Sequence, residues 1–251
     1  MNTLLSALSD GAIDTPPVHQ QLGGRRRFLA GVGSAVLLDA AGCAGKGQVP
    51  LGQLSNFGQG LNDPAPLHQT PQAIAGVLRQ GGYAIYLRHG RTQYDQLELE
   101  RNNRRSGTFD LANCSTQRQL SAEGRAELAA TGQQFRAAGL ALDLRWCSRY
   151  CRAIESAKFF VDDAQPTELL SGEGEVGLNP ANKERTRRVL SQQPAPGKNH
   201  FYMAHGGVFW EATGFTIQEA HTVILDPKNL GVIVARIGPA QWGSIAQVMR
   251  G

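Results

Sequence analysis

The run Tyr83-Ala84-Ile85-Tyr86-Leu87, followed at once by Arg88-His89-Gly90-Arg91-Thr92, constrains this chain more than any other stretch. Aromatic and branched apolar residues bounded by Gly81-Gly82 and Gly90 predict a short buried strand. Open α/β sheets place ligands outside the carboxyl ends of their strands, which is where Arg88 and His89 fall. Gly90 allows a sharp turn and close approach of a ligand to the backbone. A guanidinium beside an imidazole suits an oxyanion, which the planar Arg fork binds through paired hydrogen bonds.

Arg-His-Gly alone is short enough to arise by chance, but two further segments have the same grammar. Phe201-Tyr202-Met203-Ala204 runs into His205-Gly206-Gly207. Between them, Trp146-Cys147-Ser148 ends in a turn, with Arg152 in the first turn of a helix. Three strand ends that each deliver His or Arg can converge on one anion.

The rest of the chain alternates strand and helix. Thr70-Pro71 starts a helix to about Gln80, and Gln93 to Leu120 reads as a long polar excursion across the site mouth. Ser121 caps a helix through Ala138 that Gly139 closes. Leu140–Trp146 is a strand, Tyr150–Val161 a helix, 162–180 a loop and Lys183–Ser191 a charged helix. Thr222–Leu225 and Gly231–Ile237 form a late hairpin. This order predicts a three-layer α/β/α sandwich. With 251 residues, 41% hydrophobic and 18% charged, the chain has room for one such domain. A net charge of +4 without a basic tract argues against a nucleic-acid partner.

Three motifs together resemble the histidine phosphatase superfamily, the phosphoglycerate mutase-like enzymes. Leu87 to Thr92 is similar to its Arg-His-Gly-x-Thr signature. Cys147 to Ala157 is similar to its Ser-Ser-Pro-x-x-Arg-Ala segment, with Arg149-Tyr150 and Ser156 as departures, and His205-Gly206 to its late histidine. Ser121-Ala122-Glu123-Gly124 resembles the family's helix start, so the resemblance spans about residues 70 to 250. It implies phosphomonoester hydrolysis through a phosphohistidine on His89, with the Gly90 carbonyl fixing the other ring nitrogen. Arg88, Arg152 and a protonated His205 would bind the phosphoryl oxygens, and Gly90, Arg91 and Thr92 would form the substrate loop. The partner implied is a phosphorylated small molecule; neither metal nor cofactor is required. His68, His200 and His221 show no metal-ligand spacing.

The general acid is less determined. Mutase-like relatives use a Glu after the helix of Arg152, which points to Glu168, Glu173 or Glu175. Acid phosphatase-like relatives use an Asp directly after the second histidine, a position held here by Gly206. Asp110 is a further candidate. Mutase-type phosphoryl transfer and a non-catalytic pocket for phosphate or sugar phosphate stay open as alternatives.

Residues 1–43 read as an export signal: Arg25-Arg26-Arg27-Phe28-Leu29 resembles the twin-arginine pattern, followed by an apolar run too short to span a bilayer. Ala40-Ala41-Gly42-Cys43 resembles a lipoprotein box with Cys43 as lipid acceptor; ordinary cleavage after a small residue is the other route. Residues 44–69 read as a Gly-, Pro- and Gln-rich linker, mobile or draped over the domain, and 70–251 as the catalytic domain. Export to an oxidising periplasm leaves Cys114, Cys147 and Cys151 to form one disulfide and one free thiol, with Cys114–Cys151 the favoured pair.

Overall fold

The computed structural model describes residues 63–172 and 180–251. The Arg25-Arg26 pair, Cys43, most of the linker, Glu173 and Glu175 lie outside the described residues. A six-stranded mixed sheet has the order β3-β2-β4-β1-β5-β6, where β1 is Ala84–Arg88, β2 Leu142–Ser148, β3 Gln165–Thr167, β4 Asn199–Ala204, β5 Thr222–Asp226 and β6 Asn229–Ile237. Strands β1 to β4 run parallel; β5 and β6 continue the sheet antiparallel as a hairpin.

Helices cover both faces, giving an α/β/α sandwich. Every residue of β4 is buried, as expected for a central strand with helices above and below. Side chains alternate between two cores. Ile85, Leu87, Phe201 and Met203 pack with helices α1 (Pro71–Gln80), α3 (Ala122–Ala137), α4 (Cys151–Lys158) and α7 (Trp242–Arg250). Tyr86, Tyr202 and Ala204 face α5 (Pro180–Leu190) and α6 (Gly206–Thr213). Thr70 and Ser121 cap α1 and α3, with their side-chain oxygens accepting from the Ala73 and Gly124 amides.

Four elements depart from the sequence reading. The excursion contains a helix, α2 (Gln96–Ser106), whose single buried residue is Glu100, so no apolar period announces it. Helices α6, which begins on Gly206-Gly207, and α7 occupy segments to which the sequence reading assigned no element. The 162–180 loop contributes the three-residue edge strand β3. Residues 63–69 lie along the domain, Leu67 and His68 donating to β6 carbonyls and Asp63 pairing with Arg236 at 2.7 Å.

Candidate active site

Parallel register builds the site. Arg88 lies opposite Ala204 where β1 and β4 end side by side, and the His89 amide donates to the Ala204 carbonyl at 3.0 Å. The next residue of each strand is a histidine, and the His89 and His205 ring centroids are 5.2 Å apart. Strand β2, on the other side of β4, ends in Ser148 and leads into α4, which carries Arg152.

The carbonyl of Gly90 accepts from His89 Nδ1 at 2.9 Å. This leaves the lone pair on Nε2, towards which Arg152 Nε donates at 3.3 Å. Burial, reinforced by Arg152, His205 and Arg88, holds the His89 imidazole well below its usual range, so it is neutral and nucleophilic at pH 7. Gly90 has no room for a side chain, because a Cβ there would stand 2.5 Å from Leu128 of α3. Its amide donates to Ser156 Oγ, so both of its backbone polar groups serve the site.

His205 is placed by two partners that the motifs did not mark. The buried Tyr86 hydroxyl donates to the His205 carbonyl at 2.8 Å and accepts from its amide at 3.1 Å. His205 Nε2 lies 2.7 Å from Ser148 Oγ. Ser171 donates its hydroxyl to the Thr167 carbonyl, and with Ser148 donating to Ser171 at 3.3 Å, His205 donates from Nε2 to Ser148. Its Nδ1 is buried and has no hydrogen-bond partner among the described residues. Burial, then Arg152, Arg88, Arg118 and Arg104, hold this imidazole well below its usual range as well. It is therefore neutral, and an anion bound beside Nδ1 would supply the opposite charge that lets it take a proton and donate.

Ser148→Ala removes the Nε2 partner. We expect kcat to fall by about tenfold or more, with the acid limb of the pH–rate profile displaced because the tautomer is no longer enforced.

The two neutral imidazoles also set an acid limit on stability. Below their usual value of 6.5 the unfolded chain takes up protons that folded His89 and His205 refuse. The unfolded state then binds more protons, so stability falls as pH drops, by up to ~1.4 kcal/mol per pH unit for each imidazole. Urea unfolding at pH 7 and pH 5.5 measures the slope, and added phosphate flattens it by giving His205 a partner for its proton.

Arg88 donates to the Ile217 carbonyl at 2.9 Å and pairs with Glu219 at 3.1 Å. Its Nη1 would be 3.0 Å from a Cβ on Gly206, so a large residue there would crowd the guanidinium. Arg152 is buried, donates to Glu100 at 2.8 Å and lies over the Tyr150 ring, 4.5 Å from its centroid. Burial pushes the Glu100 carboxyl upwards, but Arg152, the Arg118 amide, Arg104 and Arg118 outweigh it and keep the group ionised.

His89, Arg88, Arg152 and His205 thus surround one space. Thr92 reaches Glu219 at 3.5 Å, whereas Arg91 is directed outwards to Glu127 at 3.2 Å in an adjoining groove of about 1560 Å³. Of the proposed acids, Glu168 is exposed and pairs with Arg149, and Asp110 accepts from the Ala112 amide within its own loop. The carboxylates that the described site does contain, Glu100 and Glu219, carried no signal in the sequence. Neither did Tyr150. Cys114 and Cys151 are disulfide-bonded, with Cα atoms 5.7 Å apart. Cys147 is a free buried thiol that burial pushes up to about 11.

No family model and no curated protein matches this chain. Solved structures similar to it include the protein histidine phosphatase SixA complexed with tungstate, at 15% identity over 63% of this chain and 98% of that one, with a TM-score of 0.41. Phosphoserine phosphatase from Entamoeba histolytica, in complex with 3-phosphoglyceric acid, aligns at 13% identity over 57% of this chain and 89% of its own, with a TM-score of 0.39. A mycobacterial glucosyl-3-phosphoglycerate phosphatase complexed with VO3 aligns at 17% identity over 58% and 92%, with a TM-score of 0.39. All three of these structural neighbours are phosphatases.

Proposed function

We propose that the protein is a phosphomonoester hydrolase working through a phosphohistidine on His89. The observation that carries this reading is the proton-free Nε2 of a neutral, buried imidazole, held beside Arg152 and close to a second histidine whose Nδ1 has no partner among the described residues. Phosphoryl transfer asks mainly for positioning and for positive charge around the equatorial oxygens, which Arg88, Arg152 and His205 supply. Nε2 attacks phosphorus, the bond to the leaving oxygen breaks, and a general acid protonates the departing alkoxide. Water then cleaves the P–N bond, releases inorganic phosphate and returns a proton to the acid. Guanidinium groups take the place of a metal in this scheme. Gly90 shapes the nucleophile loop, and Thr92 and Arg91 flank the entry for the leaving group.

For the acid we keep Glu168, Glu173, Glu175 and Asp110 as candidates. Their Gln or Asn variants separate on leaving group, since the acid matters for an alkyl phosphate and little for p-nitrophenyl phosphate. Export by the twin-arginine signal, with Cys43 as a lipid anchor, places the reaction in the periplasm in this reading. The mass of the mature N-terminus and its membrane fractionation test both points.

The test of the function is phosphate release from p-nitrophenyl phosphate by the full chain in the presence of a chelator, with acid-labile, base-stable label trapped on quenching. Phosphate binding without release would identify a non-catalytic pocket, and isomerisation of a sugar phosphate without release would identify a mutase.

A further inference from the structure

One cation in the groove that adjoins the pocket has no role in the scheme above. Arg118 closes the polar excursion and lines the same groove as Arg88 and Gly206. Its charge bears on Arg88, Arg152 and His205 alike, groups that come from β1, α4 and the end of β4. Its Nε is buried and has no hydrogen-bond partner among the described residues. The other guanidinium groups have acids: Arg88 pairs with Glu219, and Arg152 and Arg104 share Glu100. Among the described residues, no carboxylate pairs with Arg118.

The backbone of Arg118 is nevertheless tied down on three sides. Its amide donates at 2.9 Å to Glu100, the carboxylate that Arg152 binds at 2.8 Å. The side-chain oxygen of its neighbour Gln117 accepts from the Cys151 amide at 3.0 Å. The Cys114–Cys151 disulfide links the same turn covalently to the residue preceding Arg152. Like charges around one pocket repel, and the Arg118 turn would relieve that by moving away. The staple prevents it, and a bound dianion turns the repulsion into attraction.

We infer that Arg118 is a third phosphoryl-binding guanidinium, held over the pocket by the disulfide-stapled excursion. It binds a non-bridging oxygen of the phosphate monoester, and its loss weakens substrate and phosphate binding. The turnover part of this inference rests on the phosphohistidine reading; the binding part does not.

The test uses the full chain with p-nitrophenyl phosphate as substrate and inorganic phosphate as probe. For Arg118→Ala we expect KM and the phosphate inhibition constant to rise by about 10- to 100-fold, with the thermal transition retained and Arg118→Lys recovering part of the loss. Removing the staple by Cys114→Ser with Cys151→Ser raises KM in the same direction. Combined with Arg118→Ala it adds little more, because the staple acts through that side chain. An unchanged phosphate affinity in Arg118→Ala overturns the inference, as does full multiplication of the two effects. A wild-type chain that binds phosphate without hydrolysis, and loses that binding in Arg118→Ala, refutes the phosphohistidine reading while leaving Arg118 in its role.

Discussion

His89→Ala lowers kcat/KM for p-nitrophenyl phosphate by on the order of 10⁴-fold or more, and leaves no label on the quenched protein. The size follows from chemistry: without Nε2 there is no covalent intermediate, and the remaining groups can only stabilise a slow direct attack by water. Binding is expected to survive. Arg152 loses its 3.3 Å contact to His89 Nε2, but Arg88, Arg152 and His205 keep their anchors on Glu219, Glu100 and Ser148, so inorganic phosphate still saturates the variant. The fold survives as well, since the other hydrogen bond of the His89 side chain runs only to its own neighbour Gly90. Removing a buried imidazole that refuses a proton also makes the variant less sensitive to mild acid than the parent. Retention of turnover in a folded His89→Ala protein excludes the phosphohistidine route.

The parallel core was readable because its strands are apolar runs bounded by glycine, and because Ser121 and Thr70 sit at helix starts where their oxygens cap free amides. The α/β order followed from those elements. What escaped was held by charge. Helix α2 buries no apolar side chain; Glu100 fastens it by binding Arg152 and the Arg118 amide. A carboxylate anchored by partners 52 and 18 positions away leaves no periodic trace in its own segment. Arg118 escaped for a related reason, since its role appears only once the turn of Cys114 meets the start of α4. Cysteine spacing was the one available hint. Ser148 was visible as a turn residue, but its service to His205 depends on Ser171 and Thr167, delivered by the short strand that the loop reading omitted.

Arg152→Ala is expected to cost both rate and stability, and the two losses can be separated. Arg152 and Glu100 are 5% and 8% exposed and 2.8 Å apart, so truncating the arginine leaves a buried carboxylate with only Arg104 at 3.5 Å and the Arg118 amide. Breaking a buried pair from one side costs about 3–5 kcal/mol of folding free energy. Loss of the guanidinium next to Nε2 lowers kcat by about 10²–10³-fold, the usual cost of removing one preorganised donor from a developing anion. Adding Glu100→Gln to Arg152→Ala removes the stranded charge and recovers much of the stability, but none of the rate. Glu100→Gln alone is milder, since the amide oxygen still accepts from Arg152. That variant also loses an acid-sensitive contribution: the Glu100 carboxyl is held below its ordinary range when folded, so its stabilisation is present at neutral pH and disappears as pH falls through the lowered value. Urea unfolding and p-nitrophenyl phosphate turnover on the four proteins of this cycle give both axes. If stability and rate recover together in the double variant, Arg152 acts by supporting Glu100 and α2, and its place as an oxyanion clamp is refuted.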